Sequence, residues 1–366
     1  MTTEDILGRL EQLVAIESPS GDRDGLVQAA GLMAGWLHEA GFHVATDQTS
    51  AGPLVTAERS GGAGRVLVLG HLDTVWELGT LHAMPFRVEA GRVRGPGVFD
   101  MKAGLAILAA AATETRGQDG ATVTVLLTPD EEVGSEASRQ AIEDAARRAD
   151  LVLVLEPCGA DGALKVGRKG VGAFELTVLG RAAHAGLEPE RGVDAVEELC
   201  HQVLALKALG RPEAGTTVNV GVVRGGTRSN VVAERAHGSV DVRVKTQAEA
   251  DRVSVALQTL RPVVPGAELR WAGGFNRPPM TPNPTVMRWA ATADRIWREE
   301  GFPPLEAIEV GGASDGNFTA PLAPTLDGLG PPGGGAHARD EHVLVEGLKP
   351  RAELLAALWR QCNQKA

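Results

Sequence analysis

Apolar residues recur along the first half of the chain in two patterns that predict different elements. Apolar residues three and four positions apart predict helices at 4–16, 24–40, 102–115 and 136–148. Short and nearly continuous apolar runs predict strands at 66–69, 123–127 and 151–155. Strands that are apolar throughout are typical of a sheet covered by helices on both faces, so this pattern predicts an α/β domain.

The middle of the chain follows a different order. Strands are predicted at 174–179, 218–223, 240–244 and 269–271, and helices at 193–208 and 248–260. This β-α-β-β-α-β order is that of a ferredoxin-like domain. Residues 273–284, rich in Gly and Pro, then predict a linker, and helices at 286–300 and 346–361 resume the first style.

We therefore predict one discontinuous α/β domain, formed by residues 1–170 and 275–366, and an inserted domain at 171–274. The length of 366 residues fits two domains, since domains usually have about 100–200 residues.

Charge and composition exclude several classes of protein. The formal net charge of -11 argues against nucleic-acid binding, which needs a basic surface to displace counterions. No apolar stretch reaches about 18 residues, so we expect no membrane span. The amino terminus lacks a basic segment leading into an apolar run, which argues against a secretory signal. Three scattered cysteines fit a reducing compartment, and we predict a cytoplasmic protein.

Imidazole and carboxylate side chains follow the predicted buried strands. They are His71 and Asp73 after the first, Glu131 and Glu132 after the second, and Glu156 after the third, with Asp100 in a Gly-rich turn that opens a helix and His337 after three glycines. Functional residues of α/β sheets gather at the carboxyl ends of strands. Imidazole and carboxylate are the ligands expected at a hydrolytic zinc site, so the sequence predicts one here.

Spacing suggests separate roles for these residues. If strand geometry continues past 69, His71 and Asp73 face the same way, and Asp73 can orient the imidazole. Glu131 and Glu132 are adjacent and cannot point in the same direction. One of them can therefore bind metal while the other holds a water molecule, as metal-assisted hydrolysis requires.

A series of segments resembles, in chain order, the motifs of the co-catalytic zinc metallopeptidase and deacylase family. The segments are residues 70–75, 95–104, 130–135, 156–157, 180–186, 225–232, 241–243 and 311–315, followed by His337. The family includes glutamate carboxypeptidase, acetylornithine deacetylase, succinyl-diaminopimelate desuccinylase and aminoacylase. The resemblance covers nearly the whole chain and is closest to the bacterial glutamate carboxypeptidases. It implies a zinc-exopeptidase-like mixed sheet sandwiched by helices, with an inserted ferredoxin-like lid or dimerisation domain.

The resemblance also implies a metal site with defined ligands. Two zinc ions per subunit, replaceable by cobalt or manganese, would be bridged by Asp100. One ion would also bind His71 and Glu156, and the other would bind Glu132 and His337.

The remaining implied roles are catalytic or substrate-binding. Glu131 would be the general base and acid, and Asp73 would orient His71. His184, in the inserted domain, would stabilise the oxyanion, across the interface of a homodimer. Asn230 and Arg243 would bind substrate, with Arg243 placed to hold its carboxylate.

The resulting prediction is a zinc-dependent hydrolase of an amide bond adjacent to a free carboxylate. Its substrate would be a small N-acyl amino acid or peptide, from which it removes a carboxyl-terminal residue. The basic segment 165–169 favours a second acidic group, as in glutamate, or is only a solvated hinge. The alternative is an N-acyl-amino-acid deacylase. Arg243 has an alternative too, a salt bridge to Asp241 or Glu234.

Overall fold

The computed structural model describes residues 1–363, which form helices and strands throughout their length. Its helices are α1 Thr3–Val14, α2 Arg23–Glu39, α3 Thr80–Ala83, α4 Ala103–Glu114, α5 Arg139–Ala146, α6 Ala195–Ala208, α7 Gln247–Thr259, α8 Pro284–Glu299, α9 Gly316–Thr319 and α10 Val345–Asn363. Its strands are β1 His43–Gln48, β2 Pro53–Arg59, β3 Gly62–His71, β4 Arg87–Glu89, β5 Arg92–Arg94, β6 Ala121–Thr128, β7 Leu151–Val154, β8 Leu164–Arg168, β9 Gly170–Leu179, β10 Thr217–Gly225, β11 Arg235–Val244, β12 Glu268–Arg277, β13 Ala307–Val310, β14 Thr325–Leu326, β15 Gly333–Gly334 and β16 His342–Leu344.

The chain divides into two compact units. The smaller unit comprises Arg168–Thr281 with Gly311–Ala313, and the larger unit comprises the rest of the described residues. The smaller unit thus begins and ends a few residues outside the predicted 171–274. The predicted linker at 273–284 is wrong in its first part, because β12 continues to Arg277. Its glycines do not end the strand, since Gly273 and Gly274 stay paired with β9.

The larger unit is built on a six-stranded mixed sheet in the order β1-β2-β6-β3-β7-β14. Strands β6, β3 and β7 are parallel neighbours in its centre, whereas β2 pairs with β6 in the antiparallel sense. Alternate residues of β3 enter two different cores: Val66 and Val68 pack with α1, α2, α4 and α10, and Leu67 and Leu69 pack with α5 and α9. The predicted α/β sheet sandwiched by helices is confirmed.

The smaller unit is an antiparallel sheet in the order β10-β11-β9-β12. With α6 after β9 and α7 after β11, the connections are those of a ferredoxin-like domain, as predicted. Along β11, Ala236, Val240, Val242 and Val244 are buried against the helices, while the alternate residues face outward. This unit therefore has a core of its own.

No helix among residues 1–363 combines the length and the apolarity that crossing a lipid bilayer requires.

Candidate metal centre

The carboxyl ends of three parallel strands bring the first candidate ligands together. His71 is the last residue of β3, Glu132 lies in the turn after β6, and Glu156 follows β7 by two residues. Because β6, β3 and β7 are adjacent and parallel, their carboxyl ends lie at one edge of the sheet. The sheet order therefore explains why residues 24 to 85 positions apart are neighbours.

Asp100 reaches the same edge from a turn that leads into α4. The turn begins at Gly97, whose φ of +72° is left-handed, and a Cβ there would lie 2.7 Å from Cγ2 of Thr74. Asp100 itself departs from helical geometry, with φ -116° and ψ 97°. Its Oδ1 lies 3.2 Å from Nε2 of His71. Glycine at 97 thus permits the turn that presents this carboxylate.

Two groups of potential metal ligands share Asp100. The first group is His71, Asp100 and Glu156, and the second is Asp100, Glu132 and His337; within each group the ligand atoms all lie within 4.8 Å of one another. Nε2 of His71 is 3.5 Å from Glu156, and Nε2 of His337 is 3.4 Å from both Asp100 and Glu132. The structure thus brings all five predicted ligands together.

Asp73 connects His71 to the turn that carries the two adjacent glutamates. Nδ1 of His71 lies 2.9 Å from the Asp73 carbonyl oxygen and 3.4 Å from its carboxylate, so the backbone makes the closer contact. The Asp73 carboxylate also accepts hydrogen bonds from the backbone N–H groups of Glu131 and Glu132, each at 3.1 Å, and from Ser20 Oγ at 2.6 Å. Asp73 therefore fixes the turn as well as the imidazole.

Ionisation of the cluster reflects the crowding of carboxylates and imidazoles. Burial raises the pKa of Glu132 to about 7, and the hydrogen bond to Asp100 raises the pKa of His337 to about 9. Burial lowers the pKa of His71, but hydrogen bonds to Asp100, Asp73 and Glu156 outweigh it and raise this pKa well above its usual value. Carboxylates in such surroundings favour a positive charge in their midst.

The donor set also fits a metal ion at the level of single atoms. Oε1 of Glu132 is buried and has no hydrogen-bond partner among the described residues. A buried carboxylate oxygen without a donor is costly, and a coordinated cation removes that cost. Imidazole nitrogens and carboxylate oxygens together are the ligands that zinc takes in hydrolytic sites. Both groups can therefore hold a divalent ion.

Glu341, which the sequence motifs do not predict as a site residue, lies beside the ligand cluster. Its side chain is buried, and its carboxylate accepts hydrogen bonds from the backbone N–H groups of Gly97, Phe99 and Asp100 and from the indole of Trp76. The only sequence indication is its position four residues after His337. That indication is weak, because the burial of Glu341 depends on a turn some 240 positions away.

In the smaller unit, His184 and Asn230 lie close together and Arg243 lies far from both. The N–H of Ala185 donates to the carbonyl oxygen of Asn230 at 3.0 Å, so the two loops are adjacent. These loops follow β9 and precede β11, at the end of the sheet where β11 begins with Arg235. Arg243 is eight residues further along β11, a distance of about 26 Å at the usual rise of a strand.

Arg243 forms the salt bridge that the sequence left open as an alternative. Its Nε and Nη2 donate to the carboxylate of Asp241 at 2.9–3.1 Å. Nη1 makes no hydrogen bond among the described residues, and the side chain is 34% exposed. The guanidinium thus keeps one edge, Nη1 with Nη2, turned away from Asp241.

Comparison with known proteins gives consistent matches. The model of Peptidase family M20/M25/M40 matches residues 67–361. Carboxypeptidase G2 of Pseudomonas sp. (strain RS-16) is 31% identical, over 96% of this chain and 88% of that protein. Acetylornithine deacetylase of Salmonella arizonae is 29% identical, over 88% of each chain.

Solved structures share the fold. A tripeptidase from Staphylococcus aureus superposes with a TM-score of 0.80 at 20% identity, covering 100% of this chain and 99% of that one. The YXEP protein of Bacillus subtilis, described as a dinuclear metal-binding peptidase, gives a TM-score of 0.71 at 16% identity, covering 99% and 100%. At these identities the similarity shows the fold alone.

Proposed function

Because this chain belongs to Peptidase family M20/M25/M40, we propose that it is a two-zinc hydrolase that cleaves an amide bond next to a free carboxylate. In this proposal it acts as a glutamate-carboxypeptidase-like enzyme, which removes a carboxyl-terminal amino acid from a small N-acyl or peptidyl substrate. The observation that carries the proposal is the pair of ligand groups that share Asp100. One shared carboxylate between two such groups is the arrangement that a two-metal hydrolytic site needs.

The metal ligands that we propose are the members of those two groups. Asp100 would bridge the ions, with His71 and Glu156 on one and Glu132 and His337 on the other. Oε1 of Glu132 is buried without a hydrogen-bond partner among the described residues. This supports the assignment, because a bound metal ion would satisfy that oxygen in place of a hydrogen-bond donor. When bound, the ions would polarise the substrate carbonyl and lower the pKa of water. We propose zinc, with cobalt or manganese as substitutes.

Glu131 is the proposed proton carrier. Its carboxylate would take a proton from the attacking water and return it to the leaving nitrogen. Two features support this role: Glu131 is adjacent to the ligand Glu132, and the backbone N–H groups of both donate to Asp73. The turn is thereby held in one position, which general-base catalysis requires. Asp73 would keep His71 in the orientation that directs Nε2 towards the metal.

Substrate recognition is assigned to the smaller unit. Arg243 would grip the substrate carboxylate with its Nη1–Nη2 edge, while Asp241 holds the other edge and orients the guanidinium. His184 would stabilise the oxyanion and Asn230 would contact the substrate. His184 and Asn230 lie in adjacent loops, which supports a shared role at one place on the substrate.

We further propose that the enzyme is a homodimer in which His184 acts on the substrate of the partner subunit. The separation of about 26 Å along β11 supports this arrangement. One chain cannot bring Arg243 and His184 to the same small substrate from opposite ends of one sheet. A second copy can supply the missing histidine. A cytoplasmic location also stays a prediction.

The second candidate function is deacylation of an N-acyl amino acid, which the similarity to acetylornithine deacetylase favours. The bond cleaved and the catalytic residues would be the same, and only the side of the bond that is recognised would differ.

The test is hydrolysis of a panel of N-acyl amino acids and dipeptides by purified protein supplied with zinc, cobalt or manganese. We expect about two zinc ions per chain, loss of activity with a chelator, and recovery when zinc or cobalt is added back. Acylated glutamate should be the best substrate, and its carboxyl-terminal amide a poor one. Full activity in metal-free protein, or equal cleavage of acid and amide, would contradict the proposal.

A further inference from the structure

Glu341 is a buried carboxylate whose two oxygens each receive two hydrogen bonds. Oε1 accepts from the N–H groups of Phe99, at 2.9 Å, and Asp100, at 3.0 Å. Oε2 accepts from the N–H of Gly97, at 2.9 Å, and from the indole Nε1 of Trp76, at 2.7 Å. The side chain is 0% exposed. Three of the four donors belong to the turn that presents Asp100.

These hydrogen bonds restrict the backbone of the turn where regular structure does not. Asp100 lies outside helical geometry, so its N–H group has no place in the hydrogen-bond ladder of α4. Glu341 supplies the acceptor that this N–H and two neighbouring N–H groups lack. The position of the Asp100 carboxylate therefore depends on the Glu341 side chain.

Residues 337–341 contain both Glu341 and a proposed metal ligand, His337. His337 and Glu341 are four residues apart, and hydrogen bonds from Ala338 N–H to Gly335 O and from Glu341 N–H to Ala338 O, both at 2.9 Å, fold the segment into a turn. His337 belongs to the second ligand group, while Glu341 holds Asp100, which belongs to both groups. The proposed ligands His337 and Asp100 are thus linked through residues 337–341.

We propose that Glu341 is a positioning residue that fixes Asp100 and so makes both metal ions depend on a single carboxylate. It binds no metal itself and touches no substrate. This inference rests on the proposed function, because it needs the two ligand groups to be metal sites.

The decisive variant is Glu341→Gln, which keeps the size of the side chain. An amide retains one acceptor oxygen but replaces the other by an NH₂ group, which must then face two N–H donors. The remaining bonds cannot hold all four donors, and the turn should shift. We expect the affinity for both ions to fall by about 10–100-fold, the usual effect of losing a residue that orients metal ligands. His337→Ala should instead lose one ion and keep the other.

Competition with a chromogenic chelator would measure the two zinc affinities, using zinc alone as the probe. The control is Leu37→Ala in α2, a buried core substitution in the same unit that lowers stability without touching the turn. Melting temperatures of the metal-free proteins would measure how far each variant is destabilised. Zinc affinities should fall only in Glu341→Gln.

Three results would overturn the inference. If Glu341→Gln melts lower but binds both ions as wild type does, Glu341 has a purely structural role. If it weakens only one ion, Asp100 is not the shared point of control. If the wild-type protein itself binds no zinc, the proposed function fails first, and this inference fails with it.

Discussion

Glu131 and Glu132 are neighbours in the chain, and we propose different roles for them. The Glu132 side chain is only 7% exposed, lies 3.4 Å from His337, and has a pKa raised to about 7 by burial. Within the part of the chain that the structure describes, Glu132 belongs to a ligand group and Glu131 does not. The spacing alone left open which of the two binds metal, and the resemblance implied that it is Glu132. The contacts of Glu132 favour it as the ligand and leave Glu131 for proton transfer.

We therefore expect Glu131→Gln to retain both metal ions and to lose about 10²–10⁴-fold in turnover, because the amide cannot accept a proton from water. Metal content by mass spectrometry and kcat on the best substrate would test this. Glu132→Gln is the matched control and should lose metal. Near-normal turnover of Glu131→Gln would exclude it as the base, and loss of metal would mean that the two roles are exchanged.

The residues of the candidate site show which functional side chains can be predicted from a sequence and which cannot. His71, Asp100 and Glu156 were found because each follows a recognisable strand or turn, and parallel strands carry such residues to one edge. Glu341 was not found, because nothing in its neighbourhood in the chain indicates burial. Its partners come from a distant turn, and a carboxylate that accepts only neutral N–H groups has no charge partner to search for.

At the scale of elements, prediction succeeded where burial is uniform. Strands β3, β6 and β7 are covered on both faces, so their apolar runs stand out. The residues of α4 from Ala103 to Ala112 are all buried, and this helix too was predicted. Strand β1 was missed because it is mostly exposed and lies at the edge of the sheet. Strand β2 is mostly buried, but its apolar run is short, since Thr56 follows Leu54 and Val55. Where one face meets solvent, polar residues obscure the pattern.

One element contact predicts a pH dependence in the smaller unit. Glu249, in α7, accepts hydrogen bonds from Arg252 and from Thr216, which lies just before β10, both at 2.6 Å. The bond from Arg252, with that from Thr216, lowers the pKa of Glu249 to about 2 from the usual 4.5. A pKa lowered by folding means that the carboxylate stabilises the fold above about pH 4.5. That contribution is lost as the pH falls towards 2.

Glu249→Gln should accordingly lower the free energy of unfolding by about 1 kcal/mol at neutral pH, a modest value because the contact lies near the surface. The difference from wild type should be constant between pH 7 and about pH 5 and shrink below about pH 4.5. Urea unfolding across this range would measure it. Glu268→Gln, which removes an exposed pair with Arg270 on β12, should have no measurable effect. A difference for Glu249→Gln that grows on acidification would contradict the assignment.

The whole molecule consists of two units, each with its own hydrophobic core, and the proposed reaction draws residues from both. The larger unit holds every candidate metal ligand among the described residues. The smaller one holds His184, Asn230 and Arg243. Its sheet separates these three residues into two places at opposite ends of β11, a fact that motif spacing could not supply. Asn230 and Arg243 are only thirteen positions apart in sequence, but most of the residues between them form an extended strand.

The arrangement of His184 and Arg243 leads to a prediction about assembly. Glu131→Gln and His184→Ala subunits should each be inactive alone. If the histidine acts in trans, a mixed dimer has one complete site, formed by the Glu131 of the His184→Ala chain and the His184 of its partner. Random mixing in equal amounts should then restore about a quarter of wild-type activity, because half of the dimers are mixed and half of their sites work.

Mixing Glu131→Gln with the double variant is the control and should restore nothing, because no chain in that mixture retains Glu131. Differently tagged subunits would verify that mixed dimers form. A verified mixed dimer without activity would mean that His184 acts within one chain or not at all, and a monomer by sedimentation would exclude the dimeric site altogether.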